Sequence, residues 1–181
     1  MKPGFEERVE DAKKLAPYKG NIKKDTLEMV KKCVKSMGIE DIPKLVRLNE
    51  VPPYDNMPKD KDRGMTSLIF IEFVKNGFVA VVGAGEDIGF SYKSKTGRIL
   101  EALKMEWDEE SLIILTIKGL EAVAVSKVDS DNIFKSRNAV EHYIGEYLLR
   151  NGIPILNMYS HKNFTEEGWE KISGLQNFED S

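Results

Sequence analysis

"SLIFIEFVKNGFVAVVG", residues 67–83, decides the fold. Two runs rich in β-branched and aromatic residues flank Asn76-Gly77. Asn-Gly between such runs is the strongest short-range hairpin signal, because both residues tolerate positive φ. The runs are nearly continuous in apolar residues. That is the pattern of strands covered on both faces, so the hairpin is expected near the centre of a sheet.

Downstream of the hairpin, residues 95–105 carry Ile99, Leu100 and Leu103 at helical spacing and predict a helix. The pattern then recurs. "SLIILTIKGLEAVAV", residues 111–125, is a second pair of β-rich runs around Lys118-Gly119. A helix is expected from Ser136 to Arg150, striped by Val140, Tyr143, Ile144 and Tyr147 and closed by Asn151-Gly152. "PILNMY", from Pro154, reads as a last strand, and Thr165 caps a last short helix. The two ββα units share words (SLI with SLI, KSK with KSR) 42 to 44 residues apart. A ββα–ββα duplication is therefore an expectation worth testing, although short β-words also recur by chance.

Upstream lies a helical segment, residues 1–48. Phe5, Val9, Ala12 and Leu15 stripe a helix over 5–15. Asp25, with Glu28 three residues on, is the expected cap of a second helix that runs to Gly38. Residues 49–65 contain three prolines and alternating charges and read as a polar loop. The core occupies 66–176. The expected fold class is thus α/β in the mixed α+β sense: about five strands in a mixed sheet, helices packed on it, a helical N-terminal segment, and one domain overall.

The chain has 181 residues, enough for one core without disulfide staples. Its 27 basic and 30 acidic side chains give a net charge of −3. That balance argues against a nucleic-acid coat, which needs a basic excess. One cysteine, Cys33, excludes an internal disulfide and fits a reducing compartment. The N-terminal stretch lacks the apolar core of a secretory signal, and no apolar run nears the roughly 18 residues of a membrane helix. The expectation is a soluble, cytoplasmic protein with no membrane contact.

The residues that could carry chemistry cluster after the hairpin, in "GAGEDIGFSYKSKTGR", residues 83–98. Gly83 and Gly85 let backbone amides approach a phosphate, and a helix start adds partial positive charge. The spacing is not that of a dinucleotide fingerprint, and no helix follows the glycines directly. Lys93, Lys95, Thr96 and Arg98, joined by Arg137 after the second unit, are the expected phosphate contacts, with arginine supplying a forked one. Glu86 and Asp87 follow the first hairpin. Asp129 and Asp131 follow the second. If the units are related, all four fall on one rim and form a hard-oxygen site for Mg²⁺. Asp, Ser and Gly are equally the residues of turns.

His161, beyond the last strand, is the expected proton carrier. His142 with Glu146 one turn on is an ordinary i,i+4 contact. Cys33 reads as a structural, half-buried thiol. Tyr143, Tyr147, Ile144 and Leu148 form a broad apolar face, either core or a homodimer interface. RNA contact through the cations, with Tyr92 stacking a base, is opposed by the neighbouring acids.

The expected function is binding of a phosphorylated metabolite or nucleotide, with Mg-dependent phosphoryl transfer or hydrolysis as its catalytic form. The alternative is a non-catalytic homodimeric module for ligand sensing or protein interaction.

Overall fold

The structure, a computed structural model, describes residues 4–52, 68–85, 88–117 and 137–158, the first three of the last span by backbone alone. Two helices open the chain. Helix α1 (Phe5–Lys13) buries Val9 and Ala12. Helix α2 (Ile22–Ser36) buries Thr26, Val30, Cys33 and Val34. The cap of α2 is Asn21, whose side chain accepts from the Lys24 amide at 3.2 Å, and not Asp25. Asp25 lies inside the first turn and accepts the Tyr18 hydroxyl instead. The acid-then-glutamate spacing that favoured Asp25 lost to a cap residue one turn earlier, with nothing between them to break a helix. The helix ends before Gly38, at φ +75°, where a glycine is easily accommodated.

Four strands follow: β1 (Lys44–Val46), β2 (Leu68–Val74), β3 (Phe78–Ala84) and β4 (Trp107–Thr116). They form one sheet in the order β1-β4-β2-β3, every pair antiparallel. The β2–β3 hairpin is the expected one, and all seven residues of β2 are buried at the sheet's interior. Its turn differs. Val74 pairs with Phe78, so three residues, 75–77, make the loop, and only Gly77 has positive φ, at +84°. The Gly77 carbonyl accepts from the Tyr18 amide at 2.8 Å, tying the α1–α2 linker to the hairpin.

The described residues hold four strands and not the expected five, and they do not confirm the duplication. Residues 154–157 run beside β3 through a single parallel bridge, Val79 to Ile155. Val79 donates to the Pro154 carbonyl at 2.9 Å, and the Leu156 and Asn157 amides donate to Val79 and Ala80. The run is too short to extend the sheet further. In the second unit, β4 is flanked by β2 on one side and by β1 on the other along 112–114. Residues 118–136, with the second half of the expected second hairpin, lie outside the described residues, as do 159–181 with the expected last helix.

Alternation along β2 builds two layers. Ile69, Ile71 and Phe73 pack with Val79, Val82, Ile113 and Leu115 against α2 and helix α4 (Arg137–Arg150), which contributes Val140, Tyr143, Ile144 and Leu148. The N-terminal helices thus belong to the same core. The tyrosine-bearing face of α4 is part of that core, so it is not a free surface for a dimer. Leu68, Phe70 and Val74 face the other layer, covered by α1, by helix α3 (Lys95–Ala102) and by residues 88–90. Among the described residues no helix is long and apolar enough to cross a membrane.

Gly77 carries the prediction of this layout. A Cβ there would sit 3.0 Å from the Tyr18 carbonyl, at a φ that side chains resist. Gly77→Ala should lower the stability to chemical denaturation by about 1–3 kcal/mol with an unchanged denaturant slope.

Candidate functional site

The loop that follows β3 returns across the second face of the sheet and enters α3. Ser94 caps that helix: its hydroxyl accepts from the Gly97 amide at 2.9 Å and donates to the Ser91 carbonyl at 2.7 Å. Gly97 is required by close approach, since a Cβ would collide with the Ser91 carbonyl and the Tyr92 backbone. Thr96 is buried, and its hydroxyl accepts from the Asn157 side chain at 2.9 Å, fastening the helix start to the segment beside β3.

The sequence-predicted phosphate residues divide into groups. Lys93 and Lys95 flank Ser94, are exposed, and make no ion pair among the described residues. The Lys95 and Thr96 amides, the first two of α3, have no hydrogen-bond partner there either. Arg98 points away from them: its guanidinium lies 4.9 Å from the centre of the Phe5 ring on α1. Gly83 pairs with Phe70 across the ladder, and a Cβ on it would fall against that ring. Gly85, at φ +121°, donates to the Leu68 carbonyl at 3.0 Å and ends the strand. Gly83 therefore has a packing reason to be glycine, and Gly85 a conformational one. Arg137 opens α4. Glu86, Asp87, Asp129, Asp131 and His161 lie outside the described residues. Among the described residues no cluster of three or more His, Cys, Asp or Glu could hold a metal.

A residue that sequence reasoning passed over stands out. Glu72 occupies the middle of β2, is 2% exposed, and its Oε2 has no hydrogen-bond partner among the described residues. Burial raises its carboxyl from the ordinary 4.5 to about 8, so it is protonated at neutral pH. Both neighbouring ladders are irregular beside it. On β3, Glu72 pairs with Val81 and Phe73 with Val79, leaving Ala80 as an extra residue. On β4 the pairing jumps from Ile113 to Asp108. Bulges of this kind are concentrated near functional sites, because they re-aim side chains. The one signal in the sequence was an acid inside the run "LIFIEFV".

Aromatic side chains gather on the sheet face to which Glu72 points. Ile71 and Phe73 point into the first layer, so Glu72 points into the second, between Phe70 and Val74. Phe90 packs against both the cluster containing Phe70 and the cluster containing Val74. Trp107, paired with Val74 on β4, meets Phe90 edge to face at 5.7 Å and Tyr92 at 6.4 Å. The Trp107 amide donates to the Tyr92 hydroxyl at 3.2 Å. Its indole Nε1 is buried without a hydrogen-bond partner among the described residues. Glu72 and Trp107 thus lie on one sheet face, and Trp107 meets the loop that carries Lys93 and Lys95.

The remaining candidates have plain structural roles. Cys33 is fully buried and burial pushes its thiol well up, so it is a poor nucleophile. His142 is buried, its pKa is lowered by that burial, and its Nε2 lies 3.9 Å from Glu141. Glu146 bonds Arg150 at 2.9 Å, so the expected His142–Glu146 contact is not formed.

Compared with protein-family models, curated proteins and solved structures, the chain matches none.

Glu72 ties stability to pH. Its folded pKa lies above its unfolded value, so its contribution is fully present below about 4.5 and is lost as pH rises towards about 8. Chemical denaturation of the wild type and Glu72→Gln across pH 5–9 measures this. The difference between them should widen steadily with pH, until the variant is more stable at pH 9 by on the order of 2–4 kcal/mol. A constant difference would mean that the carboxyl titrates normally.

Proposed function

We propose that this protein binds a phosphorylated small molecule where residues 88–94 enter α3. One observation carries the reading. The Lys95 and Thr96 amides lie at the positive end of a Ser94-capped helix, next to two exposed lysines, and among the described residues the amides have no hydrogen-bond partner and the lysines no ion pair. Oriented amides and a helix dipole favour an anion, and the lysines add mobile positive charge around it. The contact set of the reading is Lys93, Lys95 and the first turn of α3. Arg98, stacked on Phe5, supports the helix from behind. The catalytic form of the reading adds Mg²⁺ held by Glu86, Asp87, Asp129 and Asp131, and His161 as proton carrier. A cytoplasmic setting accords with the single buried cysteine.

A second reading, a homodimeric interaction module, draws on a different observation. Ile42, Leu45 and Leu48 are exposed around β1, whose outer edge has no strand partner among the described residues. Such edges pair readily with another chain. Light scattering of the purified protein separates monomer from dimer.

The phosphate reading is tested by thermal melting with inorganic phosphate and a panel of sugar phosphates and nucleotides, with and without Mg²⁺. A ligand at about a hundred times its dissociation constant stabilises by roughly 2.7 kcal/mol. The expected result is a stabilisation that disappears in a Lys93→Ala, Lys95→Ala double variant, which melts like the unliganded wild type. Stabilisation that requires Mg²⁺ supports the catalytic form. No stabilisation by any phosphate, or stabilisation unchanged in the double variant, rejects the site.

A further inference from the structure

Strand β1 leaves a backbone donor and acceptor unmet, and the alternation of the ladders shows which. The Gly85 amide donates to the Leu68 carbonyl, so Leu68 and Phe70 turn their backbone groups towards β3, and Ile69 and Ile71 turn theirs towards β4. Ile113 and Leu115, opposite Ile71 and Ile69, therefore face β2, and Leu112 and Ile114 face β1. Their partners Val46 and Lys44 face back, which directs the N–H and C=O of Leu45 outward. Neither group has a hydrogen-bond partner among the described residues. The surface around this edge is apolar and grooved. Ile42 is 65% exposed, and Leu45 and Leu48 are exposed beside it. A cavity of about 560 Å³ lies along one face of β1, on Lys44, Val46, Ile114 and Pro52. A second, of about 650 Å³, opens between α2 and residues 38–43, over Val34, Ile39 and Pro43. Glu40, Asp41 and Ile42 line both, so the chain entering β1 stands between them.

An open edge with a hollow on either side fits an added strand, which takes main-chain hydrogen bonds from the edge and sends alternate side chains to opposite faces. A residue placed opposite Leu45 shares the face of that side chain. Its two neighbours fall on the face of Lys44 and Val46, over the smaller cavity. Val46, Ile114 and Pro52 offer one of them an apolar wall. Glu40, Asp41 and Glu50 line the same cavity against the single cation Lys44, and none of these acids forms an ion pair among the described residues. A basic side chain complements them. We infer that β1 is a docking edge for an extended peptide segment of another protein, apolar opposite Leu45, with an apolar and a basic residue at the two flanking positions. The Leu45 N–H and C=O hold its backbone. Pro43, without an N–H, and the three-residue length of β1 keep the edge from pairing over a long run. The docking edge shares no residue with the phosphate site and stands whether or not phosphate binds.

Selection from a random peptide library against the purified full chain tests the inference. The enriched sequences should carry a basic residue two positions from an apolar one, with an apolar residue between them. One such synthetic peptide, followed by NMR of the nitrogen-labelled protein, should shift the Leu45 amide resonance. Methylating one alternate set of its backbone nitrogens, and not the other, should weaken binding about tenfold or more. Leu45→Pro removes the outward N–H and leaves the ladder to β4 in place, so it should fold and lose the peptide. Glu40→Lys combined with Asp41→Lys should weaken the peptide about tenfold and provides an independent variant should Leu45→Pro fail to fold. A library that yields no binder overturns the inference. So does a binder that leaves the Leu45 amide unshifted, or one that Leu45→Pro still holds. A dimer in light scattering whose Leu45 amide is protected from hydrogen exchange gives the edge to a second copy, and that too overturns it.

Discussion

A strand of seven residues with none exposed must be covered above and below, and β2 places the other elements by that requirement. Its odd-numbered side chains need an apolar layer, which α2 and α4 supply. Its even-numbered ones need a second, made by α1, α3 and the loop between β3 and α3. Two strands must also flank it, since a buried backbone cannot leave its N–H and C=O groups unmet. Strand β3 answers locally, through a turn of three residues. Strand β4 answers from beyond α3, and its far edge is taken up in turn by β1.

Within this arrangement Glu72 is the exception that the surrounding packing has to tolerate. A charge there would be prohibitive, so the carboxyl keeps its proton. The two irregular ladders beside it are where the sheet departs from regular pairing, at β3 by one residue and at β4 by several. Phe90 packs on the same face of the sheet. The loop that brings Phe90 across goes on to deliver Lys93 and Lys95 to the head of a helix.

Much of the scaffold was legible in the residues. Asn76-Gly77 announced the hairpin, the apolar continuity of β2 announced its burial, and the stripes of α1, α2, α3 and α4 placed those helices to within a few residues. What was hidden depended on tertiary choices. Lys44–Val46 is too short to signal a strand and becomes one because β4 has an edge to offer. The three-residue turn follows from a register that also contains a bulge. Arg98 was grouped with the lysines because it follows them in sequence, yet on a helix it faces Phe5. Gly83 looked like a phosphate glycine and is the partner of the Phe70 ring. Glu72 was passed over, although the apolar run around it already predicted a strand covered on both faces, where an acid is buried with its neighbours. Asp129, Asp131, Glu86, Asp87 and His161 keep the standing that the sequence alone gives them.

The central claim is that the Glu72 carboxyl is protonated at neutral pH, and it is accessible to direct observation. Carbon-13 NMR of the side-chain carboxyls, with Glu72→Gln assigning the resonance, follows that one group through a titration. The account predicts a midpoint near 8, well separated from the surface glutamates. A midpoint near the ordinary value of 4.5 would contradict it, for it would mean that the carboxyl meets water or a cation.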